Sequence, residues 1–319
     1  MSKGFFQVIR PGINTTFQDQ GRFNLQHYGL PPGGCMDYKS FVISNALVQN
    51  KKNEGVIEFA YQGPLLKLQE GNTKIAITGD VQFMIITANN DIIKGECYRS
   101  YNLNAGDQID IQSTKNSVYG YLSVEGGFRL EYFLNSISTL SNARIGPNNG
   151  NKISKEDKIF INKDFVNKNN LKAIVIPDDS KKIRVLAGPQ HNYFSDESIK
   201  DFFLQDYKVT NLSDRMGMRL QGKVLKNIIN TNIRSEGITK GAIQVPADGQ
   251  PIILLTDHPT IGGYPKIANI VSADYDLLVQ KVPGTNISFK CIDHQEAEML
   301  FKKRYSDISK LIKEIKKIN

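Results

Sequence analysis

The chain has 319 residues, 40% of them hydrophobic and 23% charged, which is enough apolar surface for a packed core and too much for wholesale disorder. Length alone suggests about two domains. The net charge of +8 is concentrated at one end: residues 302–319 carry seven Lys or Arg against two acids, a net of +5, leaving +3 for the other 301 residues. So small an excess is no footprint for nucleic acid.

No apolar run approaches the roughly 20 residues of a membrane helix; the longest resemble Pro251–Leu255. Met1–Arg10 has no small-residue cleavage site and does not read as a signal peptide. Cys35, Cys97 and Cys291 form no C-x-x-C pair, and the histidines show neither H-x-x-x-H nor H-E-x-x-H spacing. The expectation is a soluble, cytoplasmic protein without a disulfide framework or a metal site.

In chain order, Asp37 is a plausible N-cap for a helix over Tyr38–Gln49. Short β-branched and aromatic runs follow at Gly55–Tyr61, Leu65–Gln69, Thr73–Thr78, Gln82–Thr87, Ile109–Gln112 and Val118–Val124, each bounded by turn residues. Asn89-Asn90-Asp91 has the chemistry of a hairpin turn. The Lys-, Asn- and Asp-rich region 148–180 holds the expected boundary. Strand signals resume at Ile183–Leu186, Lys208–Thr210, Ala242–Val245, Ile252–Thr256, Ile267–Val271, Leu277–Gln280 and Ile287–Ile292. Closely spaced strands with few helices indicate barrels or sandwiches. The tail sets Ile308, Leu311, Ile312 and Ile315 at helical spacing behind Ser306, an amphipathic helix docked on its own protein or a partner. The expected organisation is a domain over 1–175, a second over 176–301 and a basic helical tail over 302–319.

P-loop, G-x-S-x-G and G-x-G-x-x-G signatures are absent. Four clusters instead join Gly and Pro to charged or amide residues. In the first, Asp19, Arg22 and His27 precede Pro31-Pro32-Gly33-Gly34, whose N–H groups could face an anion; bracing a turn suits Asp19 and Arg22 equally. In the second, a strand through Ser213–Leu220 sets Arg215 and Arg219 on one face with Gly217 between, suited to a carboxylate or phosphate, although Asp214 offers an ion-pair partner. The third, Ser235-Glu236-Gly237 and Gly241–Pro246, puts Gln244 inside an apolar strand, where its amide needs a partner. In the fourth, Asp257, His258, Gly262, Gly263, Tyr264 and Lys266 follow one strand; His258 suits acid or base work and Lys266 an anion. Cys35 lacks a His partner, and His191 and His294 read as packing or surface residues.

The ordered set Arg10–Asp37, Gly188-Pro189-Gln190, Ser213–Leu220, Ser235–Gly237, Gly241–Pro246 and Gly262–Ile267 resembles the biotin-dependent carboxyltransferase-like family that includes KipA, the C component of 5-oxoprolinase and allophanate hydrolase subunit 2-like proteins. The resemblance spans roughly residues 5–295. It implies a mainly β chain with a few helices and two cyclophilin-like β-barrel domains. It also implies partnership with a KipI-like B component and a lactam-utilisation A component, the assembly opening 5-oxoproline to glutamate with ATP as co-substrate. Under that reading Asp257, His258 and Lys266 are the catalytic candidates. Asp19, Arg22, Arg215, Arg219, Gln244, Gly262, Gly263 and Tyr264 are the candidates for binding a lactam or amide. Alternatives are a carboxyltransferase component acting on urea or a similar amide with biotin on another chain, and a non-enzymatic KipA-like regulator that binds a KipI-like kinase inhibitor. The chain departs from the family pattern at Asn24, Cys35, Ile137, Met218 and His258-Pro259, where Gly, Ala, Arg, Tyr and Arg-Gln are usual.

Overall fold

Thr73–Thr78 is a strand over the span its sequence predicts, and Leu65–Glu70, Val56–Ala60 and Lys266–Ile270 lie within a residue of theirs. The computed structural model describes residues 4–162, 169–176, 178 and 180–318. The chain is mainly β, with four α-helices among the described residues. It divides into two units: Met1–Arg22, Gly33–Ile176 and Ile308–Asn319 form the first, and Phe23–Pro32 with Pro177–Asp307 the second.

In the first unit, a six-stranded sheet runs in the order Lys158–Phe160, Phe5–Arg10, Leu65–Glu70, Gln108–Thr114, Val81–Ile86, Ile92–Lys94. A seven-stranded sheet is ordered Thr16–Gln18, Val56–Ala60, Tyr119–Val124, Thr73–Thr78, Arg99–Leu103, Asn170–Lys172, Lys316–Ile318. Period-two alternation turns Phe6, Val8, Leu66 and Ile109 of the first sheet and Ile57, Phe59, Ile75 and Ile77 of the second into one shared core. Helix α1 (Tyr38–Leu47) starts at Asp37, whose Oδ1 accepts from Ser40 N at 3.0 Å, the capping its sequence predicts. Its Ile43 and Leu47 pack with Val48 and Ala76 in a second cluster, and Leu311 and Ile315 of the tail join them there. The apolar stripe of the tail is therefore used on its own chain.

The second unit closes seven strands into a barrel: Lys182–Ala187, Lys266–Ile270, Ala242–Gln244, Ile252–Leu254, Gly217–Gln221, Tyr207–Val209 and Asn286–Cys291, the last returning parallel to the first. Helix α2 (Asp196–Leu204) is capped by Ser195 and sends Phe202 onto Phe289, ring centroids 4.6 Å apart. Two sequence expectations fail here. Leu277–Gln280 is not a strand: helix α3 covers Tyr275–Val279, because a short apolar run has no period that separates strand from helix. Helix α4 (His294–Lys313) begins well before Ser306, since Asp293 Oδ1 accepts from Glu296 N at 2.8 Å and starts the helix there. Among the described residues no helix is long and apolar enough to cross a membrane.

Candidate functional site

The barrel builds its least satisfied polar cluster where two strands meet at a bulge. Ile243 pairs with Ala268 but Gln244 pairs with Lys266, so Ile267 is the extra residue. Directly paired residues project to the same side of an antiparallel ladder, and Gln244 and Lys266 are both buried, 5% and 4% exposed. Among the described residues Gln244 Nε2 has no hydrogen-bond partner. Lys266 Nζ lies 2.5 Å from Glu236 Oε1, a close ion pair whose angles are poor for a hydrogen bond.

Glycines make this cluster possible. A Cβ on Gly262 would stand 2.6 Å from Gln244 Nε2, and one on Gly188 only 2.2 Å from the Lys266 carbonyl oxygen. The close approach at Gly188 lets Gly188 N donate to the Ile267 carbonyl at 2.9 Å and brings Gln190 alongside. Gln190 Oε1 then accepts from Lys266 N at 3.2 Å, while its Nε2 donates to Glu236 Oε1 at 2.9 Å. Glu236 is carried by the two-residue strand Glu236–Gly237, paired with Ile261–Gly262. Its carboxyl is held below the usual range by Lys266 first and Gln190 second. Gly263 lies against Ser235, and Tyr264 is exposed.

Asp257 and His258 do not belong to this end. The Ile252–Leu254 strand starts opposite Gln244 and runs toward Gly241, whose N–H donates to the Leu254 carbonyl at 2.8 Å. Lys266 starts the next strand back at the Gln244 end, so residues 255–265 cross from one end of the ladder to the other. The expectation that Asp257, His258 and Lys266 emerge together at one strand end is thus corrected: two parallel strands flank one antiparallel strand, and their connection must span it.

At the Gly241 end, Asp257 accepts from Arg215 Nε at 2.7 Å and Nη2 at 2.9 Å, a bidentate pair. Arg215 precedes the Gly217–Gln221 strand, whose exposed Arg219 alternates with buried Met218 and Leu220. The expected pair of guanidiniums on one strand face over Gly217 is not formed, because Asp214 Oδ1 accepts from Met216 N and Gly217 N and turns the chain just before the strand. His258, 2% exposed, donates Nδ1–H to the Pro259 carbonyl at 2.6 Å. Burial first, then the Lys240 charge, lowers its pKa against the opposing pull of the Pro259 bond, which keeps the imidazole neutral at neutral pH.

In the first unit, Asp19 accepts from Gly21 N, Ser136 Oγ and Ile137 N, and Arg22 Nη2 donates to the Ser138 carbonyl at 2.6 Å. Both brace a turn. The N–H groups from Gly34 to Asp37 are spent within the chain and not presented to an anion: Gly34 N goes to Ser138 Oγ, Cys35 N to the Asp19 carbonyl, Met36 N to Glu58 Oε2 and Asp37 N to Tyr121 Oη. Gln190 and Glu236 are the members of the barrel cluster that site reasoning from sequence passed over. Their signal was present in the Gly188-Pro189-Gln190 and Ser235-Glu236-Gly237 motifs.

The family model of the carboxyltransferase domain, subdomain A and B, matches residues 28–291. The chain belongs to this carboxyltransferase-domain family. A relative from Haemophilus influenzae, named as the C subunit of 5-oxoprolinase, is 34% identical over 288 residues, covering 90% of this chain and 91% of its own length. The Escherichia coli protein of the same name is 30% identical over 298 residues, covering 91% and 92%. Among solved structures, the urea carboxylase of Kluyveromyces lactis matches with a TM-score of 0.88 at 27% identity over 98% of this chain, which spans 29% of that larger protein. Within the barrel, the bulge pairing Gln244 with Lys266 brings together two buried donors that lack hydrogen-bond partners among the described residues.

Proposed function

We propose that this chain is the C component of an ATP-dependent 5-oxoprolinase, which opens the lactam of 5-oxoproline to glutamate with a KipI-like B component and a lactam-utilisation A component in the cytoplasm. The observation that carries this reading is the near end-to-end match, at 34% identity, to a protein named as the C subunit of 5-oxoprolinase. The barrel supplies suitable chemistry. Opening the lactam requires the substrate to be held and oriented, and buried, preformed donors do this without reorganisation. Lys266 and Gln244 are such donors, Gly262 lies against the Gln244 amide, and Gly263 and Tyr264 follow on the same segment. Arg215, Asp257 and His258 brace the far end of the crossing segment and are structural in this reading. Arg219, Asp19 and Arg22 remain structural in this reading.

A second reading, a carboxyltransferase acting on urea or a similar amide with biotin carried on another chain, draws on the TM-score of 0.88 to a urea carboxylase. One assay separates the two. Purified chain is combined with its A and B partner components, and ADP and glutamate are followed with and without 5-oxoproline. Product formation only in the complete mixture supports the oxoprolinase. A folded complex that ignores 5-oxoproline but transfers the carboxyl group of carboxybiotin to urea supports the second reading.

A further inference from the structure

We propose that Glu236 is a built-in occupant of a carboxylate seat: in the empty chain it takes the Lys266 ammonium and Gln190 Nε2, and the carboxylate of the substrate displaces it. This rests on the oxoprolinase reading only for the identity of that substrate.

Two buried donors at the seat, Lys266 Nζ and Gln244 Nε2, have no well-aligned acceptor among the described residues. The Lys266 side chain is 5% exposed, and an ammonium withdrawn from water requires both an opposite charge and hydrogen bonds to offset its desolvation. Glu236 supplies the charge at 2.5 Å, but at angles poor for a hydrogen bond. The same Oε1 also serves Gln190 Nε2 at 2.9 Å, so one oxygen divides itself between two donors. Gln244 Nε2 is a further buried donor with no acceptor among the described residues, held against Gly262. The seat thus has more donors than Glu236 satisfies, and they belong to the residue types that recognise a carboxylate.

Glu236 is also poorly anchored. Its side chain is 44% exposed while that of Lys266 is 5% exposed, so it reaches the ammonium from outside. The strand that carries it has two residues, and a Cβ built on the following Gly237 would touch nothing within 4 Å. A carboxylate in that position competes with any anionic ligand for Lys266, and its depressed pKa keeps it ionised as a competitor at neutral pH. A ligand carboxylate brings two oxygens and is free to orient them, so it satisfies donors that Glu236 leaves open.

The test removes the competitor. Calorimetric titrations of wild-type chain, E236A and E236Q are run with 5-oxoproline, with 2-pyrrolidinone, which lacks the carboxylate, and with glutarate. KM for 5-oxoproline is measured in the assembled complex. The expected result is binding of 5-oxoproline and glutarate about tenfold tighter in E236A, the scale of one charge-assisted hydrogen bond regained. Affinity for 2-pyrrolidinone should be unmoved, and the gain should vanish in the double variant E236A/K266M. Thermal melts establish that each variant is folded. Unchanged or weaker carboxylate binding in folded E236A overturns the proposal, as does an equal gain for 2-pyrrolidinone. A complex that turns over 5-oxoproline with no E236A effect leaves the oxoprolinase reading standing and removes the exchange. Lys266-dependent tightening of glutarate in a chain whose complex ignores 5-oxoproline does the reverse.

Discussion

At the Gly241 end of the short Ala242–Gln244 strand, Arg215 and Asp257 join through two hydrogen bonds and His258 is tied to the Pro259 carbonyl. At the Gln244 end, a few residues along the same ladder, Gln244 and Lys266 are as deeply buried, yet their donors lack acceptors of good geometry among the described residues. Both ends bury polar and charged groups, so burial alone does not distinguish a site from a brace. Completeness does. A saturated network rigidifies the barrel and has nothing left for a ligand, whereas an unsaturated one is stabilised only when a ligand completes it.

The largest expected effect comes from removing the open donor with the charge. Lys266→Met should lower kcat/KM for 5-oxoproline in the complex about a hundredfold, the upper worth of a charge-assisted hydrogen bond to a carboxylate. The melting temperature should hold or rise, because an incompletely partnered buried ammonium is replaced by an apolar side chain of similar length. Lys266→Met with normal turnover would end the assignment of this barrel end as the site.

At the saturated end the effect should fall on stability instead. Arg215→Ala leaves the Asp257 carboxylate buried without its bidentate partner. Because the Arg215 side chain is 15% exposed, the cost should be about 2 kcal/mol, below the roughly 3–5 kcal/mol of a fully buried pair. Urea unfolding measures it. Once the complex is assembled below the melting transition, kcat for the folded fraction should stay within about threefold of wild type. A large loss of kcat with unchanged stability would mean that the two ends have been assigned the wrong way round.

Gly262→Ala sharpens the comparison more gently. The backbone there needs no glycine conformation, but a Cβ 2.6 Å from Gln244 Nε2 obliges the amide to move. The amide is the far end of a flexible side chain, so the fold should tolerate the change. We expect kcat/KM to fall about tenfold, the worth of one hydrogen bond to a charged group, with little change in unfolding free energy.

These residues also show how much was legible beforehand. The helix capped by Asp37 and the strand Thr73–Thr78 follow from local rules, since caps and two-residue periodicity are properties of a few neighbouring side chains. Gln244 and Lys266 were both recognisable as chemistry-bearing residues in apolar or glycine-rich settings. What the linear order concealed was pairing. Asp257 and His258 are closer in sequence to Lys266 than Gln244 is, yet the antiparallel ladder pairs Lys266 with Gln244 and sends Asp257 to Arg215. Likewise Arg215 and Arg219 share a face only if the strand begins early enough, and the Asp214 turn delays it to Gly217. Glu236 and Gln190 were visible as motifs, but long-range hydrogen bonds alone reveal that they meet at one carboxylate oxygen.

The smallest effect concerns pH and the saturated end. His258 is buried with Nδ1–H committed to the Pro259 carbonyl, so a second proton has to enter at Nε2, against desolvation and the nearby Lys240 charge. Its folded pKa is therefore below the ordinary value of 6.5, and the unfolded chain binds the proton more readily. Stability from this group is then fully present above pH 6.5 and is lost as pH falls from there toward the lowered folded value, with a slope that cannot exceed about 1.4 kcal/mol per pH unit. Melting curves of wild type and His258→Gln between about pH 7.5 and about pH 5 isolate it, because other titrating groups contribute equally to both. The difference between the two should shrink as the pH drops, since only the wild type has a proton to exclude. A difference that stays constant across the range would show that His258 takes up its proton in place, and the Gly241 end would then hold a titratable group with capacity to spare, as the Gln244 end does.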